Sequence, residues 1–275
     1  MTNTSQPIGI FDSGVGGLTV FKEIRRALPE EDILYLGDTA RVPYGIRSPE
    51  TVRKYALANA NFLVKQNVKL LIIACNTASA IAMSALHAMY DMPIIDVVRP
   101  GARSAAAVTK RRRVGIIGTE ATIRSRAYEQ ELERIDSSIV VYQQSCPLFV
   151  PLAEEGWCER EDPIATMIAN RYLAPLKETG IDTLVLGCTH YPILKDVIQH
   201  VVGHNIVLVD SAEEIARETV VVLERSGLRR RDTRQGSETF FVTDIPTRFQ
   251  ETGSRFLGHE LNNVHLVDII AERSS

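Results

Sequence analysis

Apolar residues in this chain fall into short unbroken runs, separated by longer stretches in which they recur every three or four positions. Runs at 8–11, 32–36, 68–74 and 93–97 are rich in Ile, Leu and Val and lack polar alternation. Such runs suit strands buried on both faces, as in a parallel sheet covered by helices on each side. The stretches between them, 18–28, 48–66 and 79–90, have helical spacing, with Ser48 as cap and Pro49 in the first turn of the second. The pattern then restarts. Strands are expected at 114–118, 139–143, 181–187 and 206–210, and helices at 123–134, 164–178 and 193–202. A further helix is expected from 211 to about 226, and short strands at 240–243 and 264–267, while 146–156 reads as a loop.

Two sets of four strands in one order describe a duplicated unit. The expected fold is α/β: two similar parallel-sheet domains related by pseudo-twofold symmetry, with a site in the cleft between them. The first domain comprises residues 1–98 together with 212–275, and the second 99–211, with hinges near Arg99 and Ala212.

Two segments, VKLLIIACNTAS at 68–79 and IDTLVLGCTHYP at 181–192, can be laid over one another. Each is an apolar run ending in a small residue, Ala74 or Gly187, followed by a cysteine, Cys75 or Cys188. Hydrogen-bonding side chains come next, Asn76 and Thr77 in one, Thr189 and His190 in the other. Ligands of open parallel sheets gather at the carboxyl ends of the strands, so two thiols placed there suggest two faces of one site. A buried packing role suits a single cysteine, and suits the equivalent pair poorly. Cys146 and Cys158 lack this context and read as structural.

Composition narrows the chemistry. With 275 residues, 45% of them hydrophobic, the chain can fill two cores. A net charge of −3 argues against a dedicated nucleic-acid binder, and the basic runs at 110–113 and 229–231 read as solvated loops. The N-terminal MTNTSQP is not a signal peptide, and no apolar run approaches the ~18 residues of a membrane span. The expected location is the cytoplasm, off the membrane, where free thiols are the default. Neither a CxxC pair nor histidines at zinc spacing suggest a metal site.

An unassisted thiol has a pKa of about 8.5 and is mostly protonated at neutral pH. His190 stands two positions past Cys188 and can assist it; Asp12, at the end of the first strand, can assist Cys75 or cap the next helix. The turn Asp12-Ser13-Gly14-Val15-Gly16-Gly17 offers backbone N–H groups to an anion, and its glycines read as close-approach positions for a carboxylate. It is not a dinucleotide fingerprint, because Thr19 stands where the third glycine belongs, and no P-loop lysine follows. A phosphatase loop would need arginine where Ile81 and Leu194 stand. Glu154 and Glu155 either reach the cleft or stay solvated.

Two thiols facing one carbon can remove a proton from one face and return one to the other, which is racemisation. No lysine motif for a Schiff base is apparent, so fixed dipoles and hydrogen bonds must stabilise the developing carbanion. A two-domain small-molecule binding protein with incidental thiols is the reading from a different class.

Five motifs, in order, resemble the cofactor-independent glutamate racemases of bacterial cell-wall synthesis. They are Asp12-Ser13-Gly14-Val15-Gly16-Gly17-Leu18, Gly37-Asp38 through Pro43-Tyr44-Gly45, Ala74 through Ser79, Pro151-Leu152 through Gly156, and Gly187 through Pro192. The resemblance covers about residues 7–226; the tail after Arg229 is not diagnostic. It implies glutamate held between two α/β domains, no cofactor and a homodimer. Cys75 would exchange the proton of D-glutamate with help from Asp12, and Cys188 that of L-glutamate with help from His190 and Glu154. Asp12, Ser13, Tyr44, Gly45, Asn76, Thr77, Thr119, Thr122, Thr189 and His190 would hold the substrate. Aspartate and hydantoin racemases share the paired cysteines and are the alternative within the superfamily.

Overall fold

The computed structural model describes residues 4–269. Strands β1 (Ile8–Asp12), β2 (Ile33–Gly37), β3 (Leu70–Ile73) and β4 (Ile94–Asp96) alternate with helices α1 (Leu18–Ala27), α2 (Pro49–Lys65) and α3 (Asn76–Met89). After α4 (Val98–Val108) come β5 (Arg113–Gly118), α5 (Glu120–Ser125), α6 (Ala127–Ile135) and β6 (Val140–Ser145). Next are α7 (Phe149–Glu155), α8 (Pro163–Glu178), β7 (Thr183–Gly187), α9 (Lys195–Val202) and β8 (Val207–Val209). The described chain closes with α10 (Ala212–Arg225), β9 (Glu238–Val242), α11 (Pro246–Leu257) and β10 (Val264–Leu266).

The strands form two sheets, ordered β10-β9-β2-β1-β3-β4 and β6-β5-β7-β8. Every pairing among the described residues is parallel. Stripped of β9 and β10, the first sheet runs 2-1-3-4 and the second repeats that order. The central strands β1, β3 and β7 are buried at every position, whereas the edge strand β6 is partly exposed throughout. That difference explains the unbroken apolar runs of the former and the Tyr-Gln-Gln-Ser of the latter. One apolar core is continuous from the first sheet (Ile8, Ile10, Ile72) to the second (Ile117, Leu184, Leu186). The tail joins the first sheet, because β9 pairs with β2 and β10 with β9.

Four helical details depart from the expected pattern. Helix α4 occupies 98–108, where a hinge near Arg99 and no helix is expected; Pro100 sits in the first turn, where its missing N–H is not needed. The Asp96 carboxylate accepts from the N–H groups of Val98 (2.8 Å) and Arg99 (2.9 Å), so Arg99 lies inside a capped helix. Likewise 146–156 is not all loop, for Pro151 falls in the first turn of α7. The stretch 123–134 is broken at Arg126, which adopts a left-handed φ of 55° between α5 and α6. Helix α3 starts at Asn76, directly after Cys75, rather than at 79.

The tail is fastened beneath β2 by a buried ion pair. Lys69 Nζ donates to the Glu31 carboxylate and to the Thr4 carbonyl (2.7 Å), and neither charged side chain is exposed. Glu31 Oε1 also accepts from the Arg230 backbone N–H at 2.8 Å, and Arg230 Nη2 donates to Asp32 Oδ2 at 2.7 Å. Breaking such a pair by removing one partner leaves an uncompensated buried charge. Lys69→Met is therefore expected to destabilise by about 3–5 kcal/mol in urea unfolding, with Lys69→Met/Glu31→Leu recovering part of the loss. A single-variant cost below about 1 kcal/mol would contradict the buried-charge account.

Candidate active site

The carboxyl ends of β1, β3, β5 and β7 supply the residues singled out by the sequence. Asp12 ends β1 and is wholly buried. Its Oδ2 accepts from the Gly14 N–H at 2.9 Å, and Oδ1 lies 3.5 Å from the Thr189 hydroxyl, a contact that reaches from the first sheet to the second. Cys75 follows β3 at the N-cap of α3, and Cys188 follows β7. Asp12, Cys75, Cys188 and His190 are 0%, 5%, 6% and 4% exposed, so all four side chains sit in a largely dry interior.

The glycine turn does something other than expected. A Cβ on Gly16 would lie 2.4 Å from Thr189 Oγ1 and 2.5 Å from His190 Nδ1, and one on Gly17 would lie 2.6 Å from the Asp12 Cβ. The close approach at these two positions is made by the protein's own side chains. Gly16 in particular lets the turn after β1 press against the loop after β7, and Thr19 Oγ1 donates to the Thr189 carbonyl beside it (3.1 Å).

Electrostatics differ on the two sides. Burial pushes the Asp12 carboxyl above its ordinary range, against the pull of the His190 charge and the N–H groups of Gly14, Gly17 and Ser13. Burial, then the Asp12 charge, push the Cys75 thiol up to about 12, although the Ala78 N–H and the Ser13 side chain hydrogen-bond to it. The charge of Cys188 also acts on Cys75, so the two sulfurs share one electrostatic environment. On the other side His190 lies between two acceptors: Nδ1 is 3.8 Å from Cys188 Sγ and Nε2 is 3.0 Å from Glu154 Oε1. Burial alone would lower the imidazole, but hydrogen bonds to Cys188 and Glu154, and their charges, raise it to about 10. Glu154 ends below the ordinary carboxylate range because His190, Arg248 and Arg255 outweigh its burial.

Around these groups lie the remaining residues. The hydroxyls of Thr77, Thr119 and Thr122 form a triangle of 2.9, 3.2 and 3.0 Å sides, joining α3 of the first half to α5 of the second. Gly45 packs on Thr119, where a Cβ would come within 2.6 Å of the threonine Cβ. Asn76 Nδ2 donates to Tyr128 Oη (2.8 Å). The Tyr44 hydroxyl is already committed, donating to Asp38 and accepting from Asn59 Nδ2 (3.0 Å), while Arg41 Nε donates to Asp38 Oδ1 at 2.8 Å. Beside Glu154, Gly14, Val15, Thr39, Val42, Arg248 and Phe249 help to line a cavity of about 160 Å3.

Several of these contacts are encoded in no local spacing. Asp38 and Arg41 stand in a loop rich in special residues, but nothing in their spacing pairs them with Tyr44. Tyr128, Arg248 and Arg255 lie in helices without a recognisable motif. Among the described residues no group of three His, Cys, Asp or Glu side chains is arranged to hold a metal ion.

The model of the Asp/Glu/hydantoin racemase family matches residues 8–219. This chain belongs to that family. A glutamate racemase of Geobacter metallireducens is 55% identical over 266 residues, covering 97% of this chain and 98% of its own. Among solved structures, the glutamate racemase isoform RacE1 of Bacillus anthracis superposes with a TM-score of 0.93 at 39% identity, over 97% of this chain and 99% of that one. The Francisella tularensis glutamate racemase, crystallised with D-glutamate, gives 0.90 at 38% identity, over 97% and 98%. The protein is accordingly an isomerase of the racemase class, with the family's two-sheet α/β architecture.

The raised His190 pKa has a testable sign. A cationic group favoured by the fold contributes stability that is fully present below its ordinary value of 6.5 and is lost as pH rises through about 10. The urea midpoint of the wild-type protein is thus expected to fall more steeply between about pH 7 and pH 10.5 than that of His190→Asn. Parallel curves for the two proteins would rule out a buried imidazolium.

Proposed function

We propose that this protein interconverts L- and D-glutamate by proton transfer between two thiols, without a cofactor, and that it supplies D-glutamate for peptidoglycan. The observation that carries this reading is the placement of Cys75 and Cys188 at matching strand ends of two parallel sheets, in one buried, electrostatically coupled site. Relatives named glutamate racemase, matched over nearly the whole chain, support the choice of substrate.

In the direction from L to D, Cys188 as thiolate takes the α-proton: the Cα–H bond breaks and an S–H bond forms. Cys75, held as a thiol by its raised pKa, gives its proton to the opposite face of the carbanion. The roles exchange in the reverse direction. His190, charged and aligned by Glu154, faces the Cys188 sulfur, and Asp12 serves the Cys75 side. The N-terminus of α3 at Asn76 and Thr77, with the Ser13 side chain beside it, suits the substrate carboxylates and the developing negative charge. Thr119, Thr122, Thr189 and Gly45 complete the binding surface. Since the Tyr44 hydroxyl is tied to Asp38, Tyr44 contributes through its backbone and ring.

The two sheets correspond to two domains, 1–98 with 212–275 and 99–211, working as a homodimer in the cytoplasm with neither nucleic acid nor membrane as partner. No helix among the described residues is long and apolar enough to cross a membrane.

Cysteine-to-serine exchange replaces a thiol by a far weaker acid. Cys75→Ser and Cys188→Ser are each expected to lower glutamate racemisation by on the order of 10^2–10^4, followed by circular dichroism and by α-deuterium incorporation in heavy water. Either variant racemising at near the wild-type rate would overturn the two-thiol mechanism. Faster turnover of aspartate than of glutamate would overturn the substrate.

A further inference from the structure

We propose that Arg255, on the tail helix α11, is a positioning residue for the Cys188 half of the reaction, acting through Glu154 and His190. The inference rests on the two-thiol reading above and extends it to a segment in which the sequence shows no motif.

Helix α11 is fastened to the first sheet's side of the molecule. Phe249 packs on Tyr35 with ring centroids 6.0 Å apart, and Gly253 lies so close to Leu18 that a Cβ there would approach its Cδ1 to 2.8 Å. From this base the last turn of α11 reaches the second half. Arg255 Nη2 donates to the Glu154 backbone carbonyl at 2.7 Å. That carbonyl belongs to the last turn of α7, where carbonyls have no partner within the helix and a cation complements the helix dipole. The chain then turns away through Gly156, at φ 80°, against the Arg255 guanidinium. The adjacent Phe256 presents an edge-to-face contact to His190, with centroids 5.9 Å apart and planes at 86°. Consecutive tail residues thus hold the carboxylate-bearing turn and the imidazole ring, fixing the 3.0 Å Glu154–His190 contact that orients Nδ1 toward Cys188. No tail residue makes a corresponding contact to Asp12 or Cys75 among the hydrogen bonds and ring contacts described.

The consequence is one-sided. Loss of the guanidinium should slow proton abstraction by Cys188 and spare abstraction by Cys75. Elimination isolates each step, because it needs a single abstraction: with β-chloroglutamate the base takes the α-proton and chloride leaves the β-carbon. The resulting enamine hydrolyses to 2-oxoglutarate and ammonia. Arg255→Ala is placed in a Cys75→Ser background, assayed with the L-analogue, and in a Cys188→Ser background, assayed with the D-analogue. The expected result is a fall in kcat of roughly tenfold in the first, less than the roughly 10^2–10^4 that a positioned acid or base contributes, with KM little changed. The D-elimination should be unchanged, which also certifies the fold, and Arg255→Lys should restore part of the loss. Equal slowing of both eliminations, or of neither, would overturn the role of Arg255. Absence of L-elimination in Cys75→Ser with Arg255 intact would instead overturn the two-thiol reading on which it rests.

Discussion

Everything at this site depends on the turn after β1 and the loop after β7 occupying almost the same space. Gly16 is the residue that permits it, since any side chain there would collide with Thr189 and His190. The contact brings the carboxyl ends of two parallel sheets face to face. Two consequences follow at once: Asp12 is within reach of the Thr189 hydroxyl, and both thiols are shut away from water. That burial is itself the largest cause of the raised Cys75 and Asp12 values, and low polarity then amplifies the charge interactions that add to it.

The two halves share strand order and the position of the cysteine, yet the chemistry around the sulfurs has diverged. Cys75 sits beside a buried carboxyl that disfavours a second negative charge. Cys188 sits beside a charged imidazole supported by a carboxylate. The threonine triangle of Thr77, Thr119 and Thr122 ties the halves together, each contributing residues from the start of a helix that follows a central strand.

Much of this was legible in the chain itself. Unbroken apolar runs mark β1, β3 and β7 because central parallel strands have no wet face, and the cysteines at their ends are visible for the same reason. Helix α4 was not legible, since Pro100 and Gly101 look like breakers until the first turn is known to tolerate them. Helix α7 escaped through Pro151 in the same way, so that Glu154 looked like a loop residue although it lies in the last turn of a helix. The glycines of the first turn were read as room for a carboxylate, whereas Gly16 and Gly17 make room for Thr189, His190 and Asp12. Which loops approach which is a property of the two sheets together, and no local spacing encodes it. The same holds for Tyr44, whose hydroxyl partner Asp38 was in plain view and unassignable.

The unlike surroundings of the two sulfurs also bear on energy balance. Mirror-image amino acids have equal free energies in water, so the equilibrium constant of any racemisation is one, and kcat/KM must be identical in the two directions. A scaffold that equips one sulfur with a charged histidine and the other with a buried carboxyl cannot therefore favour either enantiomer overall. Any difference in turnover between the two directions has to be matched by the same proportional difference in Michaelis constant, so the hand that turns over faster at saturation is also the hand held more loosely while it waits to react.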